Sequence, residues 1–172
     1  MRRLALLATT LTLVLGCNPP RVAAGPTPAP TEAARDLPPQ ASPEASCAPT
    51  TSSAYVLVGE RRLPVDLALT PEARVKGLSG RPCLARGTGL VLGWERPTEA
   101  RIWMPDMRFA IDVVFVRAER VVAIYPDAQP CVEGQPCPTF GPAEPVDYVL
   151  EVPAGTCAEL GVVVGAAISL VE

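Results

Sequence analysis

The chain of 172 residues contains no histidine. That absence removes the usual general base beside a serine or cysteine nucleophile, and the commonest protein ligand for metals. Lysine is nearly missing as well, since 14 of the 15 basic residues are arginine, a bias that reads as the composition of a GC-rich genome. The net charge is −3 and no basic patch is present, so nucleic acid is not an expected partner. There is no apolar run of the roughly 20 residues that a membrane-spanning helix needs. There is also no second cysteine pair at metal-ligand spacing. Neither a cofactor nor a metal centre is therefore expected.

What the N-terminus does contain is Met1-Arg2-Arg3, an apolar-rich run from Leu4 to Leu15, then Gly16 and Cys17. A basic start, a short apolar core and a small residue before a break form the layout of a secretory signal. Val14-Leu15-Gly16-Cys17 resembles a bacterial lipobox, which implies cleavage after residue 16 and a diacylglyceryl group on the Cys17 thiol. Several acyl chains at about 0.8 kcal/mol per buried CH₂ give stable anchoring. By resemblance to known sorting rules, Asn18 in the next position favours outer-membrane retention in a cell that has such a membrane. The expectation is an exported, membrane-anchored lipoprotein that faces the periplasm or cell surface. Without Arg2 and Arg3, the chain from Cys17 carries 13 basic and 18 acidic residues, a net charge of −5.

Residues 17–54 are expected to form a lipidated, disordered linker. Nine prolines among Ala, Ser, Thr and Glu leave no apolar period to bury. Residues 55–172 then suffice for one domain with its own core. Cysteine usage agrees with an oxidising compartment. Cys131 and Cys137 lie in the short Pro/Gly-rich stretch PCVEGQPCP and are expected to form a disulfide worth around 2 kcal/mol. Cys47, Cys83 and Cys157 make an odd set, of which two can pair, and the sequence does not choose between them.

Within the domain the apolar period is mostly two. LPVDLAL (63–69) alternates as a half-buried strand, IDVVFV and RVVAIY flank RAE as a hairpin, and YVLEV (148–152) is a further strand. TPEARVKG holds one short helix, with Thr70 as N-cap, Pro71 at the first helical position and Gly77 as the stop. TCAELG (156–161) has a Thr-x-x-Glu capping box and a closing Gly, which predicts a brief helical turn. VVV and AISLV, either side of Gly165, are expected to finish the fold as short strands. Many short strands with one or two short helices predict a mostly-β domain, a jelly-roll-like sandwich or small barrel.

Five stretches taken in order resemble the domain of unknown function 192 family. They are TPEARVKGLSGR (70–81), GTGLVLGW (87–94), IWMPDMRFAIDVVFV (102–116), VVAIYPDAQPC and YVLEVPAGTCAELGVVVG (148–165). The resemblance covers 55–172 and implies a compact mostly-β, jelly-roll-like domain, often exported, with no established activity. This chain departs from the family pattern where Lys-Asn-Thr is replaced by Pro105-Asp106-Met107, where Ser79 stands for a common Met, and where Phe140-Gly141-Pro142 stands for Tyr-x-Ser. Arg81 is kept.

The polar residues that stand out are Arg81, Asp106, Asp112 and Glu151, with Trp103 and Met104 beside them. One reading makes Trp103, Met104 and the Ile111, Val113 and Phe115 face a core, with Asp112 paired to Arg81. A second places Arg81, Trp103, Asp106, Asp112 and Glu151 around a ligand, with Trp103, Arg101 and Arg108 meeting a glycan or other envelope polymer, or a protein. Together with the anchor, this describes a lipid-anchored, non-catalytic binding or scaffold module of the cell envelope. The alternative is a small envelope hydrolase that works through Asp112 and Glu151 as acid and base.

Overall fold

The computed structural model describes Cys47 and residues 50–172. The signal segment 1–16, Cys17 and most of the expected linker lie outside the described residues. Seven strands form a single sheet: β1 (Tyr55–Val58), β2 (Arg61–Ala68), β3 (Gly89–Thr98), β4 (Ile111–Arg117), β5 (Arg120–Ala128), β6 (Val146–Pro153) and β7 (Ile168–Val171). Two short helices accompany them, α1 (Pro71–Lys76) and α2 (Thr156–Leu160).

The strand order is β5-β4-β6-β3-β2-β1-β7. Neighbours run antiparallel except β2 and β3, which are parallel and joined through α1. The edge strands β5 and β7 approach each other at one end. There the Val121 amide donates to the Ala166 carbonyl (3.0 Å), Gly165 donates to Val121 (2.7 Å), and Ile168 donates to Glu119 (2.9 Å). The sheet is thus curled into a half-barrel, which hides part of two edges that would otherwise offer unpaired backbone groups.

The curl explains the burial pattern. Strands β4 and β6 are buried along nearly their whole length, because each lies between two apolar layers. The inner layer draws side chains from all seven strands, among them Val56, Val65, Val91, Val114, Val121, Leu150 and Ile168. The outer layer joins Leu90, Leu92, Ile111, Val113, Phe115 and Val149 to Leu78, Ile102 and Met104 from the segments laid across the sheet. Strand alternation sends neighbouring residues to opposite layers. Hence Val114 packs inside the curl while Val113 and Phe115 pack outside it.

Local sequence signals account for several elements. Thr70 Oγ1 accepts from the Ala73 amide (3.2 Å), Pro71 opens α1, and the Gly77 amide donates back to Ala73, as the pattern predicts. The β4–β5 hairpin turns through Ala118 and Glu119, both at positive φ (47° and 56°). That pair of angles suits a two-residue hairpin but strains side-chain-bearing residues. Asp147 steadies the turn by accepting from the Ala118 amide (2.6 Å) and from Arg117 (2.6 Å).

Four expectations need correction. First, Thr156 does not cap α2: the N-cap is Gly155, with no side-chain cap bond, so the capping box is not formed. Second, residues 162–164 form no strand, and only Ile168–Val171 of the C-terminal region does. Third, residues 50–54 pack with the domain rather than extending as linker. Ala54 is buried, its carbonyl accepts from Val65 (3.0 Å), and the Thr51 amide donates to Asp66 (3.3 Å). Fourth, Trp103 is 52% exposed and is not a core residue, although Met104, Ile111, Val113 and Phe115 are.

The structure joins two pairs of cysteines, one of which bears on this boundary. Cys131 and Cys137 are bonded as expected, and the open choice resolves to Cys47–Cys83. That bond fastens the chain upstream of β1 to the loop after α1. Cys157 is left as a buried free thiol, pushed up to about 12 first by burial and then by the charge and hydrogen bond of Asp112. A thiol so protonated and enclosed reacts slowly. Iodoacetamide should therefore leave a Cys17→Ser form of the chain unmodified under native, non-reducing conditions. In denaturant it should add one label, on Cys157. Two or more labels in denaturant would refute the pairing.

Candidate functional site

Asp112 and Glu151 sit on adjacent strands, yet they point to opposite sides of the sheet. Asp112 pairs in register with Val152, an inner-layer residue, whereas Glu151 pairs with Val113 and, across β3, with Leu90, both of the outer layer. The two carboxylates therefore cannot flank one bond. The expected pair between Asp112 and Arg81 is also not formed. Arg81 reaches instead to Asp66 on β2, 3.1 Å away and partly exposed.

Asp112 is fully employed in holding the fold. It is 1% exposed, and its two oxygens accept from the Asp127 and Cys157 amides, each at 2.9 Å. The first of these lies where the β4–β5 register shifts between Ile111 and Val113, so a ladder bond is lost there. Asp127, at φ 52°, presents the freed amide and Asp112 satisfies it. The second amide belongs to the first turn of α2, which its own sequence leaves uncapped. A carboxylate from 45 residues upstream supplies that cap.

Glu151 is different. Its side chain is 5% exposed, and among the described residues it makes no hydrogen bond or ion pair. Burial pushes its carboxyl up to about 7, against an opposing pull from the Arg81 guanidinium. Its oxygens face a cavity of about 180 Å³ on the outer side of the sheet. One wall is the end of α1 and the residues after it, from Arg74 to Ser79. The other is the segment from Arg101 to Met107, with Leu92 and Trp94 of β3 completing the floor and side. Gly77 matters to this shape. Its φ of 47° disfavours any side chain, and the position lies beside Glu151, where an added Cβ would sit in ordinary contact 4.0 Å from Oε2.

The cavity wall is basic and aromatic. Arg74 donates to the Leu69 and Gly93 carbonyls and lies over the Trp94 ring, 5.3 Å from its centroid. Arg101 donates to the Gly141 carbonyl (2.9 Å) while remaining exposed. Lys76 is exposed at the end of α1, and the half-exposed Trp103 stands on the opposite wall. A buried carboxyl that holds a proton to near neutrality can donate or accept a hydrogen bond, so it suits a hydroxyl-bearing ligand.

Of the residues singled out by sequence, the structure brings Glu151 and Trp103 together, with Arg81 acting on Glu151 by its charge. Asp106 is elsewhere. It is exposed, at φ 53°, and beside a shallow depression with Ser79, Gly80, Met107 and Arg108. Sequence reasoning missed Arg74, Lys76, Gly77 and Trp94 as site residues. The spacing of Arg74 and Lys76 before the helix-stopping Gly77 was visible, but it carries the same pattern as an ordinary solvated helix end. Among the described residues, no group of three or more Cys, Asp or Glu side chains is placed to hold a metal ion.

Two solved structures share this fold. A Sinorhizobium meliloti 1021 protein described as a candidate transcription regulator is 28% identical, with a TM-score of 0.60 over 67% of this chain and 90% of that one. A Novosphingobium aromaticivorans DSM 12444 protein of unknown function is 25% identical, with a TM-score of 0.60 over 75% of this chain and 97% of that one. No functionally curated protein matches. The sequence over residues 35–170 fits the family model described as "Uncharacterized ACR", and the chain therefore belongs to the domain of unknown function 192 (DUF192) family.

Proposed function

We propose that this protein is a lipid-anchored binding module of the cell envelope, and that its ligand is a saccharide held in the Glu151 cavity. The observation that carries this reading is the isolated Glu151 carboxyl. Among the described residues no side-chain polar atom is both sealed from solvent and unpartnered, so this carboxyl is open to the cavity rather than shut in the core, and groups whose titration is shifted by burial cluster at functional sites. Here it lies at the floor of an open cavity, beside an exposed tryptophan whose ring can stack on the apolar face of a sugar. The two-carboxylate hydrolase reading is less well supported, because Asp112 is on the other side of the sheet and already holds two backbone amides. The disulfides fit an oxidising compartment, and the sequence around Cys17 supplies the anchor.

Two measurements test this. Labelled palmitate should enter the wild-type protein in a bacterial host and fail to enter Cys17→Ser, and equal labelling of both would end the lipoprotein reading. Thermal unfolding of the mature chain should be recorded with envelope glycans and peptidoglycan fragments. A ligand of the folded state at 100 times its dissociation constant adds about 2.7 kcal/mol. That shift should vanish in Trp103→Ala, and its survival there would place binding elsewhere.

A further inference from the structure

Resting on that reading of the cavity, we infer that the ligand is an acidic saccharide, with its hydroxyl groups on Glu151 and its negative charge toward Lys76, Arg101 and Arg74. The cavity is lined by three cationic side chains and one carboxyl, in a chain whose own net charge is −3. The cations come from two separate segments, the end of α1 and the start of the 101–107 segment, so their convergence is a product of the fold. The Lys76 ammonium makes no ion pair or hydrogen bond among the described residues, which leaves its charge available.

The floor is compatible with an anion for a separate reason. Burial holds the Glu151 carboxyl up near neutrality, with Arg81 pulling the other way, so much of the population presents an uncharged acid. An acid of this kind hydrogen-bonds a sugar hydroxyl without repelling a carboxylate further out. Trp103 lines the same cavity, is half-exposed, and offers an aromatic face to a sugar ring.

The test uses three probes on one hexose frame: glucuronate, glucose and glucosamine, which carry negative, zero and positive charge at neutral pH. Each is titrated into the ¹⁵N-labelled mature chain bearing Cys17→Ser, and amide shifts are followed. Shifts should map to residues 74–79 and 101–107, and glucuronate should bind roughly tenfold more tightly than glucosamine. Lys76→Gln should narrow that ratio while glucose binding stays the same. Glucosamine binding as tightly as glucuronate would overturn the charge preference and leave the saccharide site standing. Binding by none of the three, or shifts unaltered by Trp103→Ala, would overturn the site itself.

Discussion

Replacing Asp112 with alanine should lower stability by about 3 kcal/mol or more, which for a domain of this size is a fall in melting temperature of roughly 10 °C. The carboxylate accepts two buried backbone amides, and hydrogen bonds to a charged group are each worth about 1.5–3 kcal/mol. Its loss strands both donors, one at the β4–β5 irregularity and one in the first turn of α2. Asparagine should recover only part of the loss, because its amide nitrogen must face one of the two N–H groups. Asp106→Asn serves as the control, since that exposed side chain makes no hydrogen bond, and it should change stability by less than about 0.5 kcal/mol. Thermal and urea unfolding would check both. An Asp112→Ala protein as stable as wild type would show that the two bonds contribute nothing.

The Glu151→Gln protein should be more stable than wild type at pH 8 by something on the order of 3 kcal/mol, and equal to it near pH 4.5. The ordinary value for this carboxyl is 4.5, while the folded protein holds the proton to about 7. Between these limits the folded state binds more protons than the unfolded state, so stability falls as pH rises. The penalty is complete above about pH 7 and absent below about pH 4.5. Glutamine removes the ionisation and with it this slope. The charged groups around Glu151 are Arg81, which opposes the shift, and Arg74, Lys76 and Arg101 along the cavity. Its strand neighbours Leu90 and Val113 do not titrate. A wild-type stability that is flat from pH 5 to 7.5, or that rises, would refute the burial argument. The two substitutions thus contrast: one carboxylate holds the fold together, and the other weakens it at the floor of a cavity.

That contrast was only partly legible beforehand. Both residues occupy strands that the period of two picks out, and both appear in the stretches that resemble the DUF192 family. Yet alternation fixes only which residues of one strand share a side. Whether Asp112 and Glu151 face each other depends on the register between β4 and β6, whose paired residues lie from 32 (Val116 and Tyr148) to 42 (Ile111 and Pro153) positions apart in sequence. Register is set by the packing of both layers, and a slip of one residue would have put the two carboxylates on the same side.

Local physics determined what local sequence can determine. Thr70, Pro71 and Gly77 specify α1 because a cap, a preset φ and a positive-φ glycine stop act within a single turn. The short spacing of Cys131 and Cys137 specifies their bond, because so small a loop keeps the thiols close. The apolar alternation specifies a mostly-β fold, while the burial of β4 and β6 on both sides came with the curled sheet. Tertiary structure decided the rest. It chose Cys83 as the partner of Cys47, drew residues 50–54 into the domain, gave Asp66 rather than Asp112 to Arg81, and capped α2 from β4. Each of these depends on where the curled sheet places segments far apart in the chain. It also left Glu151 facing a cavity walled by Lys76 and Trp103, because only the assembled sheet determines which groups a buried carboxyl will meet.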